Sequence, residues 1–322
     1  MTIFFSILIF IVSSAVLVYS GTLAVGRLVG IAKFLKWREF IVSSVLMALT
    51  TSLPELFIGI SSAIDNKPEI SFGDVIGSNI IALTLVIGIG AFIAGGIKFE
   101  GKTMQRSSFY AAIICLAPFV FIIDMSLSRL EGALLIILFI LYFRSLLMHE
   151  ERFSKTFTNS IKRDWKNFKI FIRDLEFFAL SIFFLLLSSR GIIYSSTNIA
   201  EEFGLSLVII GIFLVALGTS LPEIVFGIKS VVTGHKEMIL GNVVGSVVVN
   251  STLVIGVAAL ISPIKIPNLS PYLIGAAFTV FSALFFSIFL RTNHAISKKE
   301  AFILIIIYMV FAALEISGEM QS

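Results

Sequence analysis

The chain has 322 residues, 57% of them hydrophobic and 14% charged, with a mean hydropathy of +1.04 and a net charge of +4. Charged residues make up about a quarter of a soluble domain, so this composition excludes an ordinary soluble fold and points to a chain that crosses a membrane repeatedly. A single cysteine, Cys115, excludes an intrachain disulfide.

A helix needs roughly 20 mostly apolar residues to span hydrocarbon. Stretches of that kind fall near 3–26, 38–64, 70–95, 107–124, 130–148, 176–199, 206–232, 238–263, 270–290 and 300–317. The first is read as a helix rather than a removable signal peptide. No basic segment precedes it, and it runs past Tyr19 without a small-residue cleavage site. The second carries Thr51-Ser52-Leu53-Pro54-Glu55 and the third Gly73-Asp74-Val75-Ile76-Gly77-Ser78. The seventh carries Thr219-Ser220-Leu221-Pro222-Glu223 and the eighth Gly241-Asn242-Val243-Val244-Gly245-Ser246. His149, His235 and His294 fall in polar connections, away from any membrane ligand, so a transition-metal site is not expected.

With ten spans the connections alternate between two sides. One side takes 20 of the 24 Lys and Arg, leaving Lys67, Arg129, Arg190 and Lys265 on the other. This is the positive-inside pattern. It places the basic side in the cytoplasm and both termini outside the cell membrane. It also accounts for the net positive charge, so no nucleic-acid partner is expected. The expected organisation is a five-helix half at 1–148, a basic cytoplasmic linker at 149–175 and a second five-helix half at 176–322. The linker contains Trp165, Phe168 and Phe171 and reads either as an amphipathic segment on anionic lipid or as a regulatory site.

The halves repeat. At one offset of 168 residues, Thr-Ser-Leu-Pro-Glu recurs, Gly59 matches Gly227, and Gly77-Ser78 matches Gly245-Ser246. Thr84-Leu85-Val86-Ile87-Gly88 matches Thr252-Leu253-Val254-Ile255-Gly256 in the same frame. Five helices per half means that the second enters the membrane from the opposite side. The expected fold is therefore all-α and polytopic, with ten transmembrane helices in two inverted five-helix repeats, an arrangement typical of secondary transporters.

Glu55, Asp74 and Glu223 fall within spans, where an ionisable residue is a functional candidate by default. Each glutamate follows a proline. Proline in a helix lacks an N–H and crowds the carbonyl four residues back, here those of Thr50 and Gly218, and a freed carbonyl in hydrocarbon needs a partner. A proline kink alone would explain either site, but not the recurrence of Pro-Glu at equivalent positions. Two carboxylates, freed carbonyls and the hydroxyls of Thr51, Ser52, Thr219 and Ser220 make an all-oxygen set. That set suits Ca2+, and also Na+; without sulfur or imidazole it does not suit zinc or copper. Ser78 and Ser246 follow glycine pairs that permit close helix packing and are further candidate ligands. Asp74 is read either as an ion ligand or as a residue of the access pathway or the helix contact.

These motifs resemble the two conserved repeats of the cation/calcium exchanger superfamily, and are most similar to those of prokaryotic sodium/calcium exchangers. Motif-level similarity covers about 46–90 and 214–258, and the ten-helix layout covers the whole chain. The resemblance implies a secondary antiporter, not an enzyme, with no cofactor and with Ca2+ and Na+ as transported ions. It implies Glu55 and Glu223 as shared central ligands. Thr51, Thr219, Ser52, Ser220, Ser78 and Ser246 would add oxygens, and the carbonyls of Ala48 and Ala216 would serve the sodium positions. Members commonly carry Asn and Asp four residues after the two motif serines; this chain has Ala82 and Asn250 there, and Thr50 in place of a glycine. Asn79 points about 100° away from Ser78 around a helix. Coupling to H+ or K+, transport of another divalent ion, or a cation channel remain alternatives. A monomer holds both half-sites; an oligomer is compatible with them.

Overall fold

The computed structural model describes residues 3–34, 49, 51–98, 102–149, 165–232, 234, 238–266, 269–292 and 295–319. Ala48, Thr50, most of the 149–175 linker and the beginning of the expected 38–64 span lie outside these residues.

The described helices, in order, are α1 (Ile3–Phe34), α2 (Leu53–Ile64), α3 (Pro68–Ala94), α4 (Lys102–Ile114), α5 (Ala117–Phe121) and α6 (Arg129–His149). They continue with α7 (Trp165–Phe203), α8 (Leu207–Thr219), α9 (Leu221–Val232), α10 (Met238–Ile261), α11 (Leu269–Thr292) and α12 (Lys298–Glu319). Among the described residues four stretches are long and apolar enough to cross a membrane alone: Ile3–Leu28, Pro68–Ala94, Met238–Ile261 and Lys298–Ser317. The pair α8 and α9, bent by 41°, makes a fifth.

Burial separates two kinds of helix. The apolar windows of α3 and α10 are 78% and 72% buried, against 22% and 28% for α1 and α12. Thus α3 and α10, which carry the Gly-Ser motifs, run through the centre. The outer helices turn Phe4, Phe5, Ile11, Phe302, Ile306 and Met309 outward, as lipid-facing surfaces do. A large apolar core includes Phe72, Ile76, Ile80, Val243, Val247, Ile255 and Phe311. A smaller one between α1, α2 and α7 includes Leu17, Ile58 and Leu185.

Glycines set the closest helix crossings. A Cβ on Gly73 would overlap the Val208 carbonyl and lie 3.1 Å from the Gly211 Cα; one on Gly77 would overlap the Ile212 carbonyl. Hence α3 and α8 meet backbone to backbone. Gly132 and Gly256 do the same for α6 and α10, where a Cβ on either lies 2.9 or 2.8 Å from the other's carbonyl oxygen.

Two irregularities follow the sequence repeat. Single π-helical turns occupy Ala82–Val86 in α3 and Asn250–Val254 in α10, equivalent at the 168-residue offset; a third occupies Gly211–Val215 in α8. A π turn disturbs the ladder of backbone hydrogen bonds and often marks a functional region. Here Thr84 donates its hydroxyl to the Ile80 carbonyl, and Thr252 donates to Val248 at 2.5 Å, again at equivalent positions.

The second irregularity is a pair of two-residue antiparallel ladders. Ile97–Lys98 pairs with Ala295–Ile296, and Ser126–Leu127 with Ile264–Lys265. Each joins one half of the chain to the other. Each also joins connections expected on the same side of the membrane, basic in the first ladder and sparsely charged in the second.

The α7 helix starts at Trp165, well before the expected 176, so the last part of the expected linker is helical. It packs along α1. Phe171 stacks on Phe34 at 4.5 Å. Arg27 pairs with Asp174 at 3.0 Å, and its guanidinium lies 4.9 Å from the Phe177 ring centroid. Phe171 and Asp174, near the end of the segment read from sequence as an amphipathic or regulatory linker, are engaged in this contact, while Phe168, Ile170 and Ile172 remain exposed.

Candidate cation site

A helix begins within each Thr-Ser-Leu-Pro-Glu motif, and the second motif also interrupts one. In the first, Ser52 leaves helical geometry with φ −88 and ψ 8, and α2 restarts at Leu53 with Pro54 in its first turn. In the second, α8 ends at Thr219, Ser220 forms the turn and α9 restarts at Leu221. A proline in a first turn gives up an N–H that has no intrahelical partner anyway. Each glutamate thereby falls in the first turn of a new helix, where the partial positive charge of the helix N-terminus favours an anion.

Glu55 is 0% and Glu223 2% exposed, so both point into protein rather than lipid. Neither glutamate has a hydrogen-bond partner on either carboxylate oxygen among the described residues. The Thr219 hydroxyl neighbours Glu55 without completing a hydrogen bond of normal geometry to it. A buried ionised carboxylate costs several kcal/mol unless it is paired, so these acids require cations or protons.

Around them the expected ligands gather unequally. Thr219 donates to Asp74 Oδ1 at 2.9 Å, and its hydroxyl lies 3.3 Å from the Ala216 carbonyl oxygen. Ser78 lies 3.4 Å from Asp74 Oδ1 and 3.2 Å from the Thr219 hydroxyl, and Ser220 donates to Ser78 at 3.1 Å. On the other side Thr51 donates to Asn242 Oδ1 at 3.1 Å. Ser52, Ser246 and Asn250 are buried, and among the described residues the Ser52 hydroxyl and the Asn250 amide oxygen have no partner. Ala48 lies outside the described residues. The bonds Thr219–Asp74 and Thr51–Asn242 join positions that correspond at the 168-residue offset, each crossing from one half to the other.

Asp74, for which the sequence left several roles open, is fully buried within this cluster. Its place follows from the Gly73–Gly211 contact, which a single helix pattern does not reveal. Ala82 is buried and apolar at the start of its π turn. Asn79 donates to Ser251 at 2.8 Å and so is engaged beside the second half's π turn. Among the described residues no three Asp, Glu, His or Cys side chains converge tightly enough to hold one metal by themselves. Hydroxyls and carbonyls must complete any coordination shell here, as hard cations allow.

A profile of the sodium/calcium exchanger protein family matches residues 5–148 and 175–316. The sodium/calcium exchanger MaX1 of Methanosarcina acetivorans is 27% identical over 316 residues, covering 87% of this chain and 90% of that one. Sodium/potassium/calcium exchanger 3 of Homo sapiens is 27% identical over 105 residues, 32% of this chain and 16% of that one. Among solved structures, the sodium-calcium exchanger NCX_Mj soaked with Na+ and Sr2+ superimposes with a TM-score of 0.65 at 24% identity, over 96% of this chain and 97% of that one. The fold is that of a multi-pass membrane exchanger.

Proposed function

The chain belongs to the sodium/calcium exchanger protein family, and we propose that it exchanges Ca2+ for Na+ across the cell membrane by alternating access. One observation carries this reading: two buried carboxylates, Glu55 and Glu223, without a hydrogen-bond partner among the described residues, stand in the first turns of two sequence-related helices. Their combined charge matches one divalent cation or two monovalent ones. Ions competing for the same carboxylates cannot all be bound together, and that competition is the physical basis of exchange. Thr51, Ser52, Ser78, Thr219, Ser220, Ser246 and Asn250, with the carbonyls of Ala48 and Ala216, supply the remaining oxygens.

The reading includes ten spans in two inverted halves, with the basic side cytoplasmic and the termini outside. The offset-matched π turns and the two ladders, each linking connections expected on one side, support that topology. Inverted halves suit alternating access, because exchanging their conformations turns an outward opening into an inward one.

Coupling to K+ or H+ is the second reading. The buried methyl of Ala82 stands where family members carry a polar side chain, and part of the chain is similar to a sodium/potassium/calcium exchanger. Uptake of 45Ca2+ into proteoliposomes under imposed Na+, K+ or H+ gradients tests both. Uptake driven by an outward Na+ gradient supports the first reading. Uptake driven only by K+ or H+ supports the second, and flux without any countertransported ion refutes both.

A further inference from the structure

We propose that Asp74 is a cation ligand, the third carboxylate of the transport site, and that it makes the Thr219 side of the site electrostatically unlike the Thr51 side. This rests on the exchanger reading above, but uses a residue outside the ligand set carried over from the family motifs.

Asp74 is 0% exposed. Its Oδ1 accepts from Thr219 at 2.9 Å and from Ser78 at 3.4 Å, while Oδ2 has no partner among the described residues. An aspartate kept only to hold helices together would have both oxygens satisfied, because an unpaired buried charge opposes folding. Nor does the helix contact need a charge. Close approach of α3 and α8 is already provided by Gly73, Gly77 and Gly211. At the offset-matched position the neutral Asn242 accepts the corresponding bond from Thr51 at 3.1 Å. The extra negative charge of Asp74 is therefore surplus to packing.

What surrounds it is suited to a small hard cation. Ser78, Thr219, Ser220 and the Ala216 carbonyl form a chain of oxygens that reaches the carboxylate at Oδ1, with Oδ2 left without a partner among the described residues. Oxygen donors of this kind take Na+ or Ca2+ rather than a soft metal.

The test uses the purified full-length protein and needs no transport. Stabilisation against thermal unfolding is titrated with NaCl and with CaCl2, with choline chloride holding ionic strength constant. Asp74→Asn keeps the acceptor for Thr219, as Asn242 does for Thr51, and removes an unpaired buried charge, so its midpoint without added Na+ or Ca2+ is at or above that of wild type. Its apparent affinity for Na+, Ca2+ or both falls tenfold or more. Adding Asn242→Asp to Asp74→Asn restores part of the loss. Unchanged affinity for both ions in Asp74→Asn overturns the proposal. Should that variant not fold, Asp74→Glu keeps the charge but moves it by one methylene and changes the ratio of Na+ to Ca2+ affinity; an unchanged ratio overturns the proposal equally. A wild type that binds these ions but does not exchange them refutes the exchanger reading alone, and the role of Asp74 stays measurable.

Discussion

Replacing Gly73 with alanine tests the geometry that creates the site. The added Cβ would overlap the Val208 carbonyl oxygen and lie 3.0 Å from Ile212 N and 3.1 Å from Gly211 Cα. All three are backbone atoms, so no rotamer change relieves the clash and α3 must retreat from α8. Overpacking of a closed contact costs typically about 1–3 kcal/mol, and a backbone obstacle puts this case toward the upper end, at roughly 2–3 kcal/mol. At about 2–4 °C per kcal/mol for a large domain, the apparent unfolding midpoint in detergent should fall by several degrees. The retreat also draws Asp74 and Ser78 away from Thr219 and Ser220, so Ca2+ uptake should drop even in protein that remains folded. Gly227→Ala provides a graded comparison. Its nearest obstacles, at 3.0–3.1 Å, are the ends of the Ile239 and Val86 side chains, which can move. Gly26→Ala is the blank, since nothing lies within 4 Å of its added Cβ. If Gly73→Ala is as stable and as active as Gly26→Ala, then the backbone contact between α3 and α8 does not set the site.

Glu223→Gln removes a charge and almost no volume; it should abolish 45Ca2+ uptake while leaving the protein monodisperse on size exclusion, and normal uptake would refute the assigned role. Ala82→Asn introduces an amide at the start of the α3 π turn, matching Asn250, and should change the Na+ dependence of Ca2+ uptake; an unchanged dependence would mean that position 82 does not face the ions. Arg27→Gln leaves Asp174, 7% exposed, without its 3.0 Å ion partner. Thermal unfolding should show a loss of about 1–3 kcal/mol, the range for a buried polar group left unsatisfied, and a loss within error would show that water replaces the guanidinium.

The parts of the site that were legible in the sequence are those written as short local patterns. Proline inside a span is a local signal of a disturbed helix, and helical geometry lapses at Ser52 and Ser220, two residues before Pro54 and Pro222. The 168-residue frame pairs α3 with α10, and these are the more enclosed of the four single spans among the described residues. Asp74 was harder to place, because its neighbours Thr219 and Ser78 are settled by which two helices cross and at what height. The π turns were invisible for a similar reason. Ala82–Val86 and Asn250–Val254 share no residue pattern that demands i→i+5 bonding, and the expansion is fixed by surroundings. The start of α7 was misplaced because its polar residues look like linker until Arg27 and Phe34 are known to lie opposite Asp174 and Phe171.

The two small ladders have a consequence for how the protein is made. Ile97 and Lys98 find their strand partners only at Ile296 and Ala295, and Ser126 and Leu127 theirs only at Lys265 and Ile264. A ribosome delivers the chain from its N-terminus, so the earlier strand of each pair waits for well over a hundred residues of further synthesis. The segments that carry the earlier strands therefore enter the bilayer as an unfinished body, open along the edges that later segments will close. Truncation after about residue 290 would leave the first ladder unformed, and such fragments should be substrates for membrane quality-control proteolysis rather than stable half-proteins.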